Sequence, residues 1–153
     1  MSFSGKPTTL IAQPITNDGF WPDLDLAEFQ RGYRLPAEFL FELLVDGITQ
    51  AIGEVNMDLA KRKADWQAVG IHNVANADPM LLAERTFMAA SYKRAVYCRA
   101  KAYLLAQFAT VNRRDTAANW AKESPQTHDQ FLCFSQQAVR LIQGRSRVTA
   151  ELI

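Results

Sequence analysis

Apolar residues recur at Leu40, Leu44, Ile48, Ile52, Val55, Leu59 and Trp66, at spacings of four, four, four, three, four and seven. That spacing keeps them on one face of an α-helix and predicts a helix from Pro36 to about Ala68. A second run begins at Asp78-Pro79 and meets no Gly or Pro before Pro125. Asp78 suits an N-cap and Pro79 the first helical position, which predicts a helix from Pro79 to about Val111. Its apolar residues do not keep to one side. Leu81, Met88, Tyr92, Ala95, Val96 and Tyr103 make one stripe, and Tyr97, Leu104 and Phe108 make another nearly opposite. A helix that is apolar on two sides is covered on two sides. Either it runs through the middle of a bundle, or Tyr97, Leu104 and Phe108 meet another subunit.

The flanking segments follow other patterns. Pro7, Pro14 and Pro22 exclude a helix from residues 1–22 and predict an extended segment. Asn17-Asp18-Gly19 is a turn signal. Phe20 and Trp21 follow it, either pinned onto the core or offered to a partner. Asp23 and Asp25 suit the cap of a short helix through Arg31. Within the helix at 36–68, Gly47 and Gly53 weaken helix propensity, which predicts that another helix passes close by. Glu54, Asp58 and Arg62 are placed to pair at i,i+4 on its outer face. Gly70 to Ala77 reads as a loop that reverses the chain, making the two long helices an antiparallel pair. Asp115 and Thr116 cap a short helix carrying Trp120, which Ser124-Pro125 interrupts. A last helix follows from about Gln126 to Gln143, with Phe131, Phe134, Ser135, Ala138, Leu141 and Ile142 inward and Gly144 as its stop. From Arg145 to Ile153 the pattern turns strand-like, with Val148, Ala150 and Leu152 alternating against Thr149, Glu151 and Ile153, the last of which breaks the polar side. Arg145 and Arg147 are placed to hold the exit of this arm. Val148 to Ile153 are expected to pack on a neighbour or partner, the competing reading being a fold-back beside residues 8–15. The whole is one all-α domain over residues 1–153, a helical bundle with two long antiparallel helices and extended N- and C-terminal arms (1–22 and 145–153).

Charge adds an asymmetry. The net charge is +1, yet residues 1–60 carry nine acids against three bases, and residues 61–153 fourteen bases against seven acids. One reading is a set of solvated helix faces. The other is a subunit with an acidic and a basic side, able to stack on copies of itself. No apolar run approaches the ~20 residues of a membrane span, and no signal peptide opens the chain.

Chemistry for catalysis is sparse. Phosphate-loop, dinucleotide, nucleophile-elbow and zinc-protease motifs do not occur. His72, His128, Cys98 and Cys133 lack ligand spacing, and the cysteines read as reduced, buried thiols. No enzyme, metal or cofactor is expected. The basic residues Arg85, Lys93, Arg94, Arg99, Lys101, Arg113 and Arg114 leave open a small helical DNA-binding regulatory protein. Against it, recognition helices are short and polar, whereas this one carries Leu, Phe and Tyr between its charges.

Thr16-Asn17-Asp18-Gly19-Phe20-Trp21-Pro22-Asp23, the segment from Ala109 to Ala117, and the basic terminus from Arg145 to Ile153 resemble one family. It is the head completion protein of temperate, contractile-tailed bacteriophages, the gpL type. The likeness covers most of the chain and its total length. It implies a structural role without catalytic residues or cofactors. Such a protein assembles beneath the portal after DNA packaging, closes the filled head and seats the tail. The implied partners are portal and tail-side connector proteins, copies of itself in a ring of about twelve, and packaged DNA passing through the lumen, with no membrane. The implied location is the virion, after assembly in the bacterial host cytoplasm.

Overall fold

The computed structural model describes residues 10, 12–35, 40–78, 81–82, 85–111 and 117–146, the side chains at 81–82, 85–86, 108–111 and 117–126 excepted. The described chain is mostly helical, as its periodicities predict. β1 (Pro14–Ile15) pairs antiparallel with β2 (Leu24–Asp25), with Ile15 opposite Leu24. α1 (Leu26–Gly32) follows, capped by the Asp25 carboxylate, which accepts from Ala27 N at 2.7 Å. α2 (Phe41–Asp58) and α3 (Ala60–Ala68) come next, then a 3-10 turn (Val74–Ala77) and a hairpin of β3 (Leu81–Leu82) and β4 (Arg85–Thr86). α4 (Phe87–Val111) and α5 (Ala117–Ile142) complete it.

α4 is the axis of the bundle. It packs most extensively on α5 and next on α2. Gly47 of α2 lies against Leu104, and Asn56 of α2 bonds Tyr92, so α2 and α4 run antiparallel. Lys101 lies on Phe131 and Arg94 on Phe134, so α4 and α5 run antiparallel too. Tyr92, Ala95, Val96, Ala100, Ala102 and Leu104 of α4 are all fully buried. Among the described residues, Tyr92, Ala95 and Val96 of one stripe and Tyr97 and Leu104 of the other are thus covered within the subunit, which accounts for the failure of the apolar residues to keep to one face.

Four boundaries differ from the sequence reading. The predicted helix at 79–111 starts at Phe87 instead. Asp78 does not flank it, so it is not the N-cap residue expected, yet from ten residues upstream its Oδ2 accepts from Met88 N in the first turn at 3.1 Å. With that first-turn N–H satisfied from Asp78, Leu81–Leu82 and Arg85–Thr86 pair as strands instead of extending the helix. The predicted helix at 36–68 is interrupted at Leu59, where Gln143 donates to the Asp58 carbonyl at 2.8 Å and Arg62 Nε to the Ile142 carbonyl at 3.1 Å. Residues 36–39 lie outside the described residues. Leu40 sits before the first turn of α2 and is exposed, not part of the inward stripe. The helix carrying Trp120 and the last helix are one, running through Pro125. An interior proline costs ~3 kcal/mol, which the long α4–α5 interface outweighs.

The far end of α5 stops as expected. Gly144 has φ +72°, Arg145 N donates to the Arg140 carbonyl at 2.8 Å, and Gly144 N to that of Leu141 at 3.0 Å. These two bonds satisfy the last free carbonyls of the helix. Leu141, expected inward, is exposed.

Candidate interaction surface

Three polar clusters lock the helices and so fix what the surface can present. Asn17 Nδ2 donates to Tyr92 Oη at 2.8 Å, Tyr92 Oη donates to Asn56 Oδ1 at 2.6 Å, and Asn56 Nδ2 donates to Asn17 Oδ1 at 3.1 Å. This closed triangle ties the N-terminal segment to α2 and α4. Beside it Asp18 Oδ1 accepts from Phe20 N and Trp21 N, each at 3.0 Å, and Lys63 lies 2.7 Å from Asp18 Oδ2. Burial alone would raise the Asp18 carboxyl, but the Lys63 ammonium and the two N–H groups hold it below its usual 3.8. Phe20 and Trp21 are thereby drawn inward. Trp21 stacks on Tyr92 with ring centroids 4.7 Å apart, and Phe20 meets Trp21 edge-on at 4.9 Å.

The second cluster surrounds Tyr97, which stacks on Phe29 at 5.2 Å. Its hydroxyl donates to Glu28 Oε2 at 2.9 Å and accepts from Asp25 N at 3.1 Å, and Lys93 pairs with the same Glu28 at 2.9 Å. The third is the buried Arg99. It reaches Asp58 at 2.8 Å, Glu54 at 3.5 Å and Ser135 Oγ at 3.2 Å, joining α2, α4 and α5. Glu54 and Asp58 therefore face α4 instead of pairing with Arg62 on an outer face.

Of the residues read as contacts with partners, Phe20, Trp21, Tyr97 and Leu104 are each 2% exposed or less. They hold the subunit's own core, so the bundle-interior reading is the right one for them. Arg145 is exposed at the end of α5. The Phe108 side chain, Arg147, Val148, Leu152 and Ile153 lie outside the described residues. Of the two thiols, Cys98 is buried and Cys133 exposed, against the expectation that both are covered. Burial pushes the Cys98 thiol up, with Tyr33, Arg94 and Lys101 opposing.

What the sequence reading missed is a groove. Three adjoining hollows of about 740, 690 and 310 Å³ run between the end of α1, the start of α4 and the length of α5. All three are lined by Arg94; Phe87 and Ser91 join the two larger ones. Arg34, Lys101, Arg140 and Arg145 also line them. Arg34 adopts φ +49°, a left-handed backbone uncommon outside glycine, at the turn leaving α1. Lys101 donates to the Tyr33 carbonyl at 2.6 Å and lies 4.3 Å from the Phe131 ring centre. Burial lowers its pKa and the nearby Arg34 adds to this, while Cys98 opposes. Among the described residues no carboxylate pairs with Arg34, Arg94, Lys101, Arg140 or Arg145. The other signal lies on α2, where Glu42, Asp46, Thr49, Gly53 and Met57 form an exposed stripe facing away from the core. Arg34 apart, the groove cations come from the basic half of the chain and the stripe carboxylates from the acidic half, but only the packing shows which charges lack an ion-pair partner among the described residues. Among the described residues no helix is long and apolar enough to cross a membrane, and no group of three or more His, Cys, Asp or Glu is placed to hold a metal ion.

Comparison with known proteins agrees with the sequence likeness. A probable head completion/stabilization protein of Haemophilus phage HP1 (strain HP1c1) is 28% identical over 151 residues, covering 99% of this chain and 99% of the relative. No solved structure matches the chain. Residues 15–153 match the phage head completion protein (GPL) family, and the chain belongs to that family.

Proposed function

We propose that this chain is a head–tail connector subunit. It binds beneath the portal once DNA is packaged, closes the filled head and provides the seat for the tail. The observation that carries this reading is the match to the head completion family across residues 15–153. The two unlike surfaces support it, because head-to-tail packing around a ring joins different patches of successive copies. The partners are the portal, tail-side connector proteins and further copies of the chain, with DNA passing through the ring. Its place is the virion, after assembly in the host cytoplasm, and it has no catalytic step to perform. Arg145 and the segment containing Arg147, Val148, Leu152 and Ile153 are its contacts with a neighbour or partner. The isolated chain is a monomer or weak oligomer, and the portal templates the ring. A subunit that closed rings alone would compete with assembly at the vertex.

The test is a phage lacking the gene, supplied with the protein in trans. Without it, filled heads should accumulate, lose DNA and fail to join tails. Adding it back should restore both properties, with the protein found at the portal vertex. Normal tail joining in its absence, or a stable ring of purified protein at micromolar concentration, would overturn the corresponding part of the reading.

A further inference from the structure

We propose that the groove between α1, α4 and α5 receives α2 of the next copy of this chain; this rests on the connector reading. Charge and shape select the occupant. The groove carries cations with no carboxylate partner among the described residues, Arg94 over the Phe134 ring and Arg140 on the Ser146 carbonyl, and exposes Phe87 and Leu141, at 41% and 40%, on its walls. A DNA backbone would satisfy the cations but offers nothing to the two apolar side chains. The outer stripe of α2 offers both. Glu42 and Asp46 lack an ion-pair partner among the described residues, and Met57 is 71% exposed. Between them Gly53 has open space within 4 Å of where a Cβ would stand, so a neighbouring helix can approach the backbone closely there.

The geometry also makes the contact directional. α2 and α5 each pack on α4, and the α2 stripe faces away from it, so stripe and groove lie on different sides of one subunit. Two different patches on one chain join head to tail, and each joined copy leaves a free stripe at one end and a free groove at the other. An isologous pair would bring the same patch together twice. The unpaired charges explain why such a contact needs no large apolar area: opposite potentials fix the register and exclude the reversed orientation.

The experiment uses completed heads, where the protein is at work. Cys133 is first replaced by Ser, leaving only the buried Cys98. Gly53→Cys and Phe87→Cys are then introduced singly and together, and heads are treated with a short bis-maleimide. The double variant should give a ladder of dimers, trimers and larger species, and neither single variant should. Glu42→Lys with Asp46→Lys should remove the ladder, and adding Arg94→Glu with Arg140→Glu should restore it. The proposal is overturned if the double variant is present in completed heads yet stays monomeric on the gel, or if a single variant cross-links to itself. It is overturned also if the charge reversals leave the ladder intact. Absence of the unmodified chain from completed heads would instead defeat the connector reading on which the proposal stands.

Discussion

The guanidinium of Arg99 lies 2.8 Å from the carboxylate of Asp58, with the arginine side chain 7% exposed and the aspartate 44%. The inequality predicts an asymmetric response to mutation. Asp58→Ala leaves a nearly buried cation held by Glu54 at 3.5 Å and by Ser135, and should cost about 2 kcal/mol, the half-exposed partner tempering the penalty of a fully buried pair. Arg99→Met fills much of the same volume and leaves two carboxylates that water can reach, so it should cost less. Denaturant unfolding of both variants checks the order; equal losses would mean that Arg99 is not the buried partner.

The glycines of α2 give a second contrast. A Cβ on Gly53 meets nothing within 4 Å, whereas one on Gly47 would stand 3.5 Å from Leu104. Gly53→Ala should therefore raise subunit stability by about 1 kcal/mol through helix propensity alone. Gly47→Ala places a methyl in ordinary contact with a core leucine and should gain no more. Thermal melting of the two proteins tests this, and destabilisation by Gly53→Ala would show that residue 53 is not in open space.

These two positions mark how far the sequence could be taken. The periodicity of Leu44, Ile48, Val55 and Leu59 located the buried face of α2, and the opposed stripes of α4 foretold cover on both sides. Asp25 and Gly144 were legible as helix ends because their chemistry is local. The hairpin before α4 was not, because Asp78 reaches Met88 only after the chain has turned back. Pro125 misled in the other direction, since local propensity yields to a long interface. Spacing along α2 points Glu54 and Asp58 at Arg62, because it says nothing of Arg99 on another helix. The groove is assembled from α1, α4 and α5 and has no local signature at all. The acidic and basic halves of the chain hinted at two faces without locating either.

Alkaline pH should expose the burial of the tyrosines. Burial raises Tyr33, Tyr92 and Tyr97 well above the usual 10.0, and it pushes Tyr103 up to about 12, with Glu54 adding to the effect. The neutral phenol is the form the fold favours. The stabilisation is fully present below the unfolded value near 10 and is lost as pH rises toward the folded values, because the unfolded chain then binds fewer protons. Absorbance of the phenolate should show little ionisation near pH 10 and then a rise coinciding with loss of helical circular dichroism. Ordinary titration of all four phenols in the folded protein would contradict this packing.

At the acid end Asp18 behaves in the opposite sense. Its folded value lies below 3.8, so its contribution is present above the unfolded value and lost as pH falls through the folded one. Asp18→Asn keeps an acceptor for the Phe20 and Trp21 N–H groups but removes the charge that Lys63 pairs with. The variant should be less stable than the parent near neutral pH, and the gap should close once the parent's carboxyl is protonated. A gap that persists unchanged below about pH 2 would assign the loss to packing instead of to the ion pair.

The terminal arm separates subunit stability from assembly. The described core closes at the end of α5: Ile142 is fully buried, Gly144 and Arg145 complete the helix end, and Arg140 holds the Ser146 carbonyl through Nη2 at 2.9 Å. Residues 147–153 follow that closure, so their removal leaves every one of these contacts in place. We therefore expect a chain truncated after Ser146 to melt within a few degrees of the full-length protein, as a surface change does, while failing to complete heads. The competing outcome is a fold-back of Val148 to Ile153 beside residues 8–15, where Pro14 and Ile15 already pair with Asp25 and Leu24. In that case truncation would cost several kcal/mol, the scale of lost core burial. Melting and head completion measured on the same truncated protein distinguish the two: stability kept with function lost assigns the arm to a partner, and stability lost assigns it to the subunit.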